Sequence, residues 1–174
     1  MNSGMPIQRL MRHLIAGQRL LRKCLSVEDL AVIESTIAQM ELAGDGEVCF
    51  AVEAHLPTAA ILHGQSPRER ALAVYSQLRI WDTEHNNGVL IYLLLADRAV
   101  EIVADRAAAR QASQAEWDAI CDAMRLAFAE GHFREGILSG VVQIGRILSR
   151  PWSEAPAGSS DAPANELPNT RVLR

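Results

Sequence analysis

The sequence has 174 residues, of which 49% are hydrophobic and 22% charged, and its net charge at neutral pH is −4. These values are typical of a globular domain that is long enough to bury a core of its own. The acidic balance gives no general case for nucleic-acid binding, and three widely spaced cysteines define no disulfide framework. We find neither a signal peptide nor an apolar run of the ~20 residues that a bilayer requires, so we expect a cytoplasmic protein.

The first 24 residues are predicted to form a segment of their own, because they contain five basic residues and no acidic one. Apolar residues recur in this segment at helical spacing, which predicts a basic amphipathic helix over residues 7–23. Three roles are open for the helix: it packs on the domain, it contacts a protein partner, or it lies on an anionic membrane surface and makes the protein peripheral to the membrane. The basic residues are Arg9, Arg12, Arg19, Arg22 and Lys23, and the apolar ones are Ile7, Leu10, Met11, Leu14 and Leu21.

The next elements alternate between helix and strand. Ser26 and Asp29 form a capping-box pattern that starts a helix, and the glycine-containing turn at residues 43–46 ends it. Residues 47–54 are apolar on both sides of an extended chain, which is typical of a central strand. After a predicted loop at residues 55–65, the stretch beginning at Ser66 combines an N-cap, a proline and a glutamate at the right spacing for another helix.

A β-hairpin is predicted next. The turn at residues 86–88 contains two asparagines and a glycine, and it leads into the continuous apolar run 89–96. Such a run is typical of a strand that is buried on both faces. Residues 97–98 make a tight turn, and residues 99–104 alternate in polarity as the returning antiparallel strand.

Two further helices complete the predicted domain. A third capping box begins at Ser113, and the helix after it is followed by another over residues 133–149, where Gly136 and Gly140 allow close approach to a neighbour. The composition then shifts to Pro, Ala, Ser, Asp and Asn, so residues 151–174 are predicted to be a disordered tail.

This order of elements predicts the architecture. The strand–helix–strand unit should be parallel with a right-handed crossover, and the hairpin adds an antiparallel strand. We therefore predict an α/β fold, a three-layer α/β/α sandwich with a small mixed sheet, over residues 25–150.

Residues 79–106, with the sequence RIWDTEHNNGVLIYLLLADRAVEIVADR, resemble the TPM domain family. The resemblance rests on Trp81, on the Asn-Gly-Val that starts at Asn87, on the apolar strand and on the Asp-Arg turn at Asp97. It extends over about residues 25–149 and includes the helix that begins at Phe133. The resemblance implies the same α/β/α fold and a short cytoplasmic, bacterial-type branch of the family.

The resemblance implies less about activity, since the family spans proposed acid phosphatases, calcium-binding modules and non-catalytic partners of membrane complexes. Many relatives carry an Asp-x-x-Gly-Leu-Leu-like pattern before the first helix of the domain. This chain has Arg22, Lys23 and Cys24 before Leu25 and Ser26, without the acidic residue or the glycine. The departure puts any metal site that uses that acidic residue in doubt.

Polar side chains flank the hairpin at one end. Because one strand starts where the other ends, the loop before residues 89–96 and the segment after residues 99–104 should meet at one edge of the sheet. The expected ligand-binding residues are Asp82, Glu84, Asn86 and Asn87 from the loop, with Asp105 and Arg106 from the other segment.

The chemistry of this edge has several interpretations. Asp82, Glu84 and Asp105 could hold Ca²⁺ or Mg²⁺ through hard oxygen ligands. Arg106 could instead clamp Asp82 or Glu84, or contact an anionic ligand. In the structural alternative, Asp82 caps a turn, the asparagines shape it, and the last two residues form a solvated pair.

No nucleophile motif or phosphate-binding glycine loop occurs in the sequence, so we predict no catalytic residue. Asp97 and Arg98 lie at the opposite end of the hairpin and are expected only to form its turn, while Trp81 is expected to fill the core beneath the loop. We expect a non-enzymatic binding or accessory domain that binds a divalent metal, a protein or a membrane surface. The alternative is a weak metal-dependent acid phosphatase that uses Asp82, Glu84 and Asp105.

Overall fold

The computed structural model describes residues 6–42, 46–151 and 169–173. Its helices are α1 (Pro6–Ile15), α2 (Gln18–Cys24), α3 (Val27–Glu41), α4 (Thr58–Leu62), α5 (Pro67–Gln77), α6 (Arg106–Ala109), α7 (Gln114–Ala129) and α8 (Phe133–Leu148). Its strands are β1 (Glu47–Glu53), β2 (Gly88–Leu94), β3 (Ala99–Ala104) and β4 (Thr170–Leu173).

The sheet is mixed, in the order β3-β2-β1-β4. Strand β1 is parallel to β2 and β4, whereas β2 and β3 form the antiparallel hairpin. Every residue of β1 and β2 is buried, and helices cover both faces of the sheet. The α/β/α prediction is confirmed.

Alternate residues of the central strands feed two separate cores. Phe50 and Ile91 belong to the core that residues of α3, α7 and α8 complete. Ala51 and Tyr92 belong to the core on the other face, with residues of α4 and α5. The two-residue period of an extended chain therefore explains why both sides of β1 and β2 had to be apolar.

The three predicted capping boxes are present and confirmed. Ser26, Ser66 and Ser113 each accept a hydrogen bond from the backbone N–H three residues later, and the acidic side chain there accepts from the serine N–H. In each first turn, two backbone N–H groups that have no partner within the helix are hydrogen-bonded in this way. These bonds fix where α3, α5 and α7 begin.

The glycines of α8 act as the sequence analysis expects. A Cβ atom on Gly136 would lie 2.8 Å from the Phe128 ring, and one on Gly140 would lie 2.6 Å from Met124 Sδ. The contact at Gly136 is too close for a side chain, and at Gly140 the flexible Met124 side chain would have to move, so the glycines allow the observed packing of α8 against α7.

The structure differs from the prediction at both ends of the chain. The single N-terminal helix is two helices, since the chain is not helical at residues 16–17. Residues 170–173 of the predicted disordered tail form β4, which pairs with β1 from Phe50 to Glu53, while residues 152–168 lie outside the described residues. The division of the chain at residues 24 and 150 stays a prediction.

Arginine side chains cover the outer edge of β3. Arg125 donates to the carbonyl oxygen of Val100 at 2.8 Å, and Arg68 donates to that of Ile102. An edge strand with unpaired carbonyls is a template for pairing with another chain. The two guanidinium groups satisfy these acceptors and oppose such pairing.

A buried carboxyl joins α3 to the sheet. Glu41 is 7% exposed, and its oxygens accept hydrogen bonds from Val48 N at 2.9 Å and from Asn169 Nδ2 at 3.2 Å. Burial raises the pKa of Glu41 to about 7, and the nearby charge of Glu47 adds to the increase. The carboxyl therefore connects the start of β1 to the residue that precedes β4.

We predict that Glu41 makes stability fall as the pH rises. Because the pKa of Glu41 is higher in the folded chain than the ordinary 4.5, its stabilising contribution is complete below pH 4.5 and is lost as the pH passes through about 7. The loss is on the order of 3 kcal/mol for a shift of this size. Urea unfolding at pH 5, 6, 7 and 8 measures the free energy of unfolding directly.

The variant Glu41→Gln should lack this part of the pH dependence, since an amide does not ionise. Glu34→Gln is the matched control, because Glu34 lies on the same helix but is exposed. Parallel pH profiles for the Glu41→Gln variant and the unmodified chain would contradict the prediction.

Candidate functional site

The structure brings the two predicted polar segments together. The Asp105 N–H donates to the Gly88 carbonyl at 2.8 Å, and the Ala107 N–H donates to the Asn86 carbonyl at 3.1 Å. The loop before β2 and the segment after β3 are therefore joined by backbone hydrogen bonds. We call this surface, residues 81–87 with 105–106, the loop edge.

The backbone within and directly beside the loop edge is held in uncommon conformations. Arg79 and Asn86 have φ angles of 55° and 53°, in the left-handed region that side chains disfavour. Thr83 holds the turn, because its hydroxyl accepts from the Asn87 N–H at 3.2 Å. A Cβ on Gly88 would overlap the Ile80 carbonyl oxygen, so the loop can meet β2 here only through a glycine.

The carboxylates of the loop edge have different environments. Asp82 is exposed and pairs with Arg79 at 2.9 Å, and Glu84 is also exposed. Asp105 caps α6, where its Oδ1 accepts from the Arg106 N–H at 2.6 Å. Burial and the neighbouring Asp105 charge raise the pKa of Tyr75, so the tyrosine hydroxyl stays protonated beside this carboxylate.

The shared edge does not gather these carboxylates into a preformed cluster. Among the described residues, no group of three or more His, Cys, Asp or Glu side chains could hold a metal ion. No ion pair joins Arg106 to Asp82 or Glu84 in the part of the chain that the structure describes. Asn87 is buried, whereas Asn86 is exposed with its carbonyl bonded to Ala107.

Trp81 lies on the surface, contrary to the expectation that it fills the core. Its side chain is 48% exposed, and the Arg79 guanidinium lies 5.8 Å from the ring centroid. Ile80 occupies the core position instead and is fully buried. The left-handed turn at Arg79 changes which of the following side chains points into the core. Arginine rarely adopts this conformation, so the sequence does not indicate the turn.

The opposite end of the hairpin holds a charged cluster that the sequence analysis missed. Asp97 accepts from Arg9 Nη2 at 2.7 Å, from Arg9 Nε at 3.0 Å and from His13 Nε2 at 3.0 Å. Its side chain is 8% exposed. Arg9 and His13 are one helical turn apart on α1, and that spacing opposite an acidic turn is the only sequence signal that could have indicated the cluster.

Both ring nitrogens of His13 are occupied. Nδ1 accepts the Leu56 N–H at 2.9 Å, so Nε2 carries the proton and donates to Asp97. Burial opposes ionisation of Asp97, but the hydrogen bonds from Arg9 and His13 and the charge of Arg9 outweigh it and hold the pKa of the carboxyl below its usual value. The cluster therefore docks α1 and leaves no free imidazole nitrogen to act as a base.

We predict that Asp97→Asn releases α1 from the domain. The variant loses the bidentate ion pair and leaves Arg9 without its carboxylate, which should cost about 2 kcal/mol of folding free energy. Hydrogen exchange should accelerate for the amides of α1 and stay unchanged for those of β2. Asp118→Asn, at an exposed aspartate of α7, is the control. Unchanged exchange in α1 would contradict the docking role of Asp97.

The three cysteines are protonated at neutral pH. Burial raises the pKa of the Cys49 thiol to about 12 and also raises those of Cys24 and Cys121. Cys24 is the one that is partly exposed. A thiol is nucleophilic only as the thiolate, so none of the three is an activated nucleophile.

The mixed sheet, the helices on both faces and the hairpin with its Asn-Gly-Val entry define an α/β/α domain. The model of the TPM domain family matches residues 21–147, and the chain belongs to that family.

Solved structures share the fold. The BA42 protein from the psychrophilic bacterium Bizionia argentinensis is 26% identical, with a TM-score of 0.68 over 84% of this chain and 94% of that one. The N-terminal domain of a P. gingivalis protein is 20% identical, with a TM-score of 0.58 over 85% and 93%. The N-terminal domain of cg2496 from Corynebacterium glutamicum is 16% identical, with a TM-score of 0.54 over 79% and 80%. No curated protein matches the chain.

None of the helices in the described ranges combines the length and the apolar character needed to cross a bilayer.

Proposed function

We propose that this chain is a non-enzymatic binding or accessory domain of the TPM type, and that the loop edge is its contact surface. The observation that carries the proposal is the exposure of Trp81 on a loop that backbone hydrogen bonds hold in place. Tryptophan supplies a large apolar area together with an N–H donor. It is therefore enriched among the residues that dominate the binding energy of protein interfaces.

The conformation of the loop supports the same proposal. Left-handed backbone at Arg79 and Asn86 costs free energy, and such residues persist where the surrounding structure determines the geometry. A loop held in this way presents Trp81 without first having to be ordered, which lowers the entropic cost of binding. The Arg79 guanidinium lies 5.8 Å from the ring centroid, and a charged group beside an aromatic ring is common at the rim of an interface.

The charges at the loop edge favour an electropositive partner. Asp82, Glu84 and Asn86 present oxygen atoms to solvent, while Arg106 is the exposed cation across the edge. A basic protein surface fits these groups as they stand, whereas a divalent cation would have to draw them together. For a cation, Asp82 would have to leave Arg79, and a surface ion pair of this kind opposes the change by at most about 1 kcal/mol.

The remaining chemistry of the described residues supports binding rather than catalysis. Both ring nitrogens of His13 are hydrogen-bonded, one to Asp97 and the other to Leu56. The cysteine thiols are held in the protonated form. A nucleophilic mechanism requires a nucleophile within hydrogen-bond reach of a base, and these groups do not supply such a pair.

We predict that a photo-crosslinking amino acid at position 81 captures a partner in the cells that produce the protein. Benzoylphenylalanine in place of Trp81 should give a discrete adduct that excess unmodified chain competes away. The control is the same replacement of Leu126, which is 66% exposed on α7. Identical adduct patterns at the two positions would contradict the proposal that Trp81 marks the contact surface.

The alternative function is a weak metal-dependent phosphatase, and the name of the matching family model, TPM_phosphatase, is the reason to test it. This alternative requires Ca²⁺ or Mg²⁺ binding by calorimetry, and Asp82→Asn should weaken that binding because a carboxylate ligand is lost. Glu130→Gln, at an exposed acid remote from the loop edge, is the matched control.

Hydrolysis of p-nitrophenyl phosphate in the same samples should stay at the buffer rate. Metal-dependent turnover that Asp82→Asn or Asp105→Asn abolishes would overturn the non-enzymatic proposal and favour the phosphatase. If calorimetry detects no binding of either cation, the loop edge is a contact surface for a protein partner and not for a metal ion.

A further inference from the structure

A cavity lies at the end of the β2–β3 hairpin opposite the loop edge. The described residues line an open cavity of about 790 Å³ between α1 and α2 on one side, the end of β2, and the turn from α7 to α8. This volume lies within the ~300–1,000 Å³ that is usual for small-molecule sites in proteins.

The walls of the cavity are apolar. Phe128 and Phe133 stack with their ring centroids 5.0 Å apart and form one side. Leu93 and Leu95 line it from the end of β2, and Leu20 lines it from α2. These aliphatic and aromatic side chains favour an apolar chain and disfavour a polar metabolite, whose groups would lose their hydration against them.

Cationic side chains line the same cavity. They are Arg12, Lys23, Arg98 and Arg125, and the acidic side chain that accompanies them is Glu130. Arg125 is neutralised by Asp122 at 2.8 Å, and Arg12 is 3.9 Å from Asp97. Neither Lys23 nor Arg98 has a carboxylate partner within the described ranges. The positive charge of these two side chains is available to a ligand.

We propose that this cavity binds a single-chain amphipathic anion, with its aliphatic chain against the two phenylalanines and its carboxylate or phosphate between Lys23 and Arg98. The apolar walls require the chain, and the excess of cations requires the anionic head. The exposed Ile15, 78% exposed at the end of α1, lies at the cavity and extends its apolar surface. This site lies away from the loop edge and is independent of the function proposed for it.

Chain length gives a quantitative test. Each buried methylene contributes about 0.8 kcal/mol, which corresponds to an about fourfold lower Kd per carbon added until the cavity is full. We expect the Kd to fall in this way from hexanoate to octanoate to decanoate, measured by calorimetry on the full chain below the micellar concentration. A Kd that does not change with chain length would overturn the proposal.

The head group is tested with matched ligands. Decanoate and decyl phosphate should bind, whereas decanol, decyltrimethylammonium and inorganic phosphate should bind at least about tenfold more weakly. Equal affinity for decanoate and decanol would show that the cations do not contribute to binding. Equal affinity for inorganic phosphate and decyl phosphate would show that the apolar walls do not contribute. Either result contradicts the assignment.

Variants locate the site. Lys23→Gln and Arg98→Gln should each weaken decanoate binding about tenfold, and Leu20→Trp should abolish it by filling the cavity. Arg22→Gln is the control, because Arg22 is the exposed neighbour of Lys23 on α2 and does not line the cavity. Cys24 lines the cavity, so its alkylation should slow when decanoate is bound, a readout that does not depend on heat. Unchanged binding in all three cavity variants would overturn the proposal.

A last experiment separates the two sources of such an anion, a free amphiphile and a membrane lipid. Phosphatidylglycerol vesicles are sedimented with the unmodified chain and with the Leu20→Trp variant. Co-sedimentation that the variant loses would identify a bilayer lipid as the ligand, and decanoate binding without co-sedimentation would identify a free amphiphile. If the variant still co-sediments and the unmodified chain does not bind decanoate, the protein binds vesicles through a charged surface and the cavity proposal is wrong.

Discussion

The burial of β1 and β2 on both faces is the constraint on which the rest of the structure depends. Every side chain of these two strands is removed from water, and alternate residues point to opposite sides. Each face therefore needs its own layer of helices. The parallel pairing in turn requires a connection that crosses one face, and α4 and α5 lie within it. The three layers therefore follow from the burial of two seven-residue strands.

The antiparallel partner of β2 then divides the surface into two ends with different chemistry. At one end the chain enters β2 and leaves β3, which joins Asn86 to Ala107 and makes the loop edge acidic and polar. At the other end the hairpin turn places Asp97 under α1 and Arg98 beside the apolar cavity. The seven residues of β2 lie between the two sites, so a ligand at one end leaves the other free.

Local patterns in the sequence were sufficient for most of the fold. The capping boxes at Ser26, Ser66 and Ser113 and the apolar run of β2 obey rules that operate within a few residues. The strand β4 could not be predicted, since its pairing with β1 joins segments more than a hundred residues apart in a four-residue stretch of ordinary composition. The exposure of Trp81 was not predicted, because it follows a left-handed turn at Arg79, a conformation that arginine rarely adopts.

The candidate sites were harder to predict because amphipathic patterns do not state which face is buried. In α1, the apolar residues Ile7, Met11 and Leu14 lie on the exposed face, and the helix docks through Arg9 and His13. The usual preference for burying the apolar face of a helix is reversed at the buried carboxylate of Asp97. Its hydrogen bonds with arginine and histidine offset the desolvation of all three groups. The same docking leaves the end of α1 at the cavity, where the exposed Ile15 lines it together with Phe128 and Phe133. A ligand with an aliphatic chain would cover this apolar side chain, which is otherwise in contact with water.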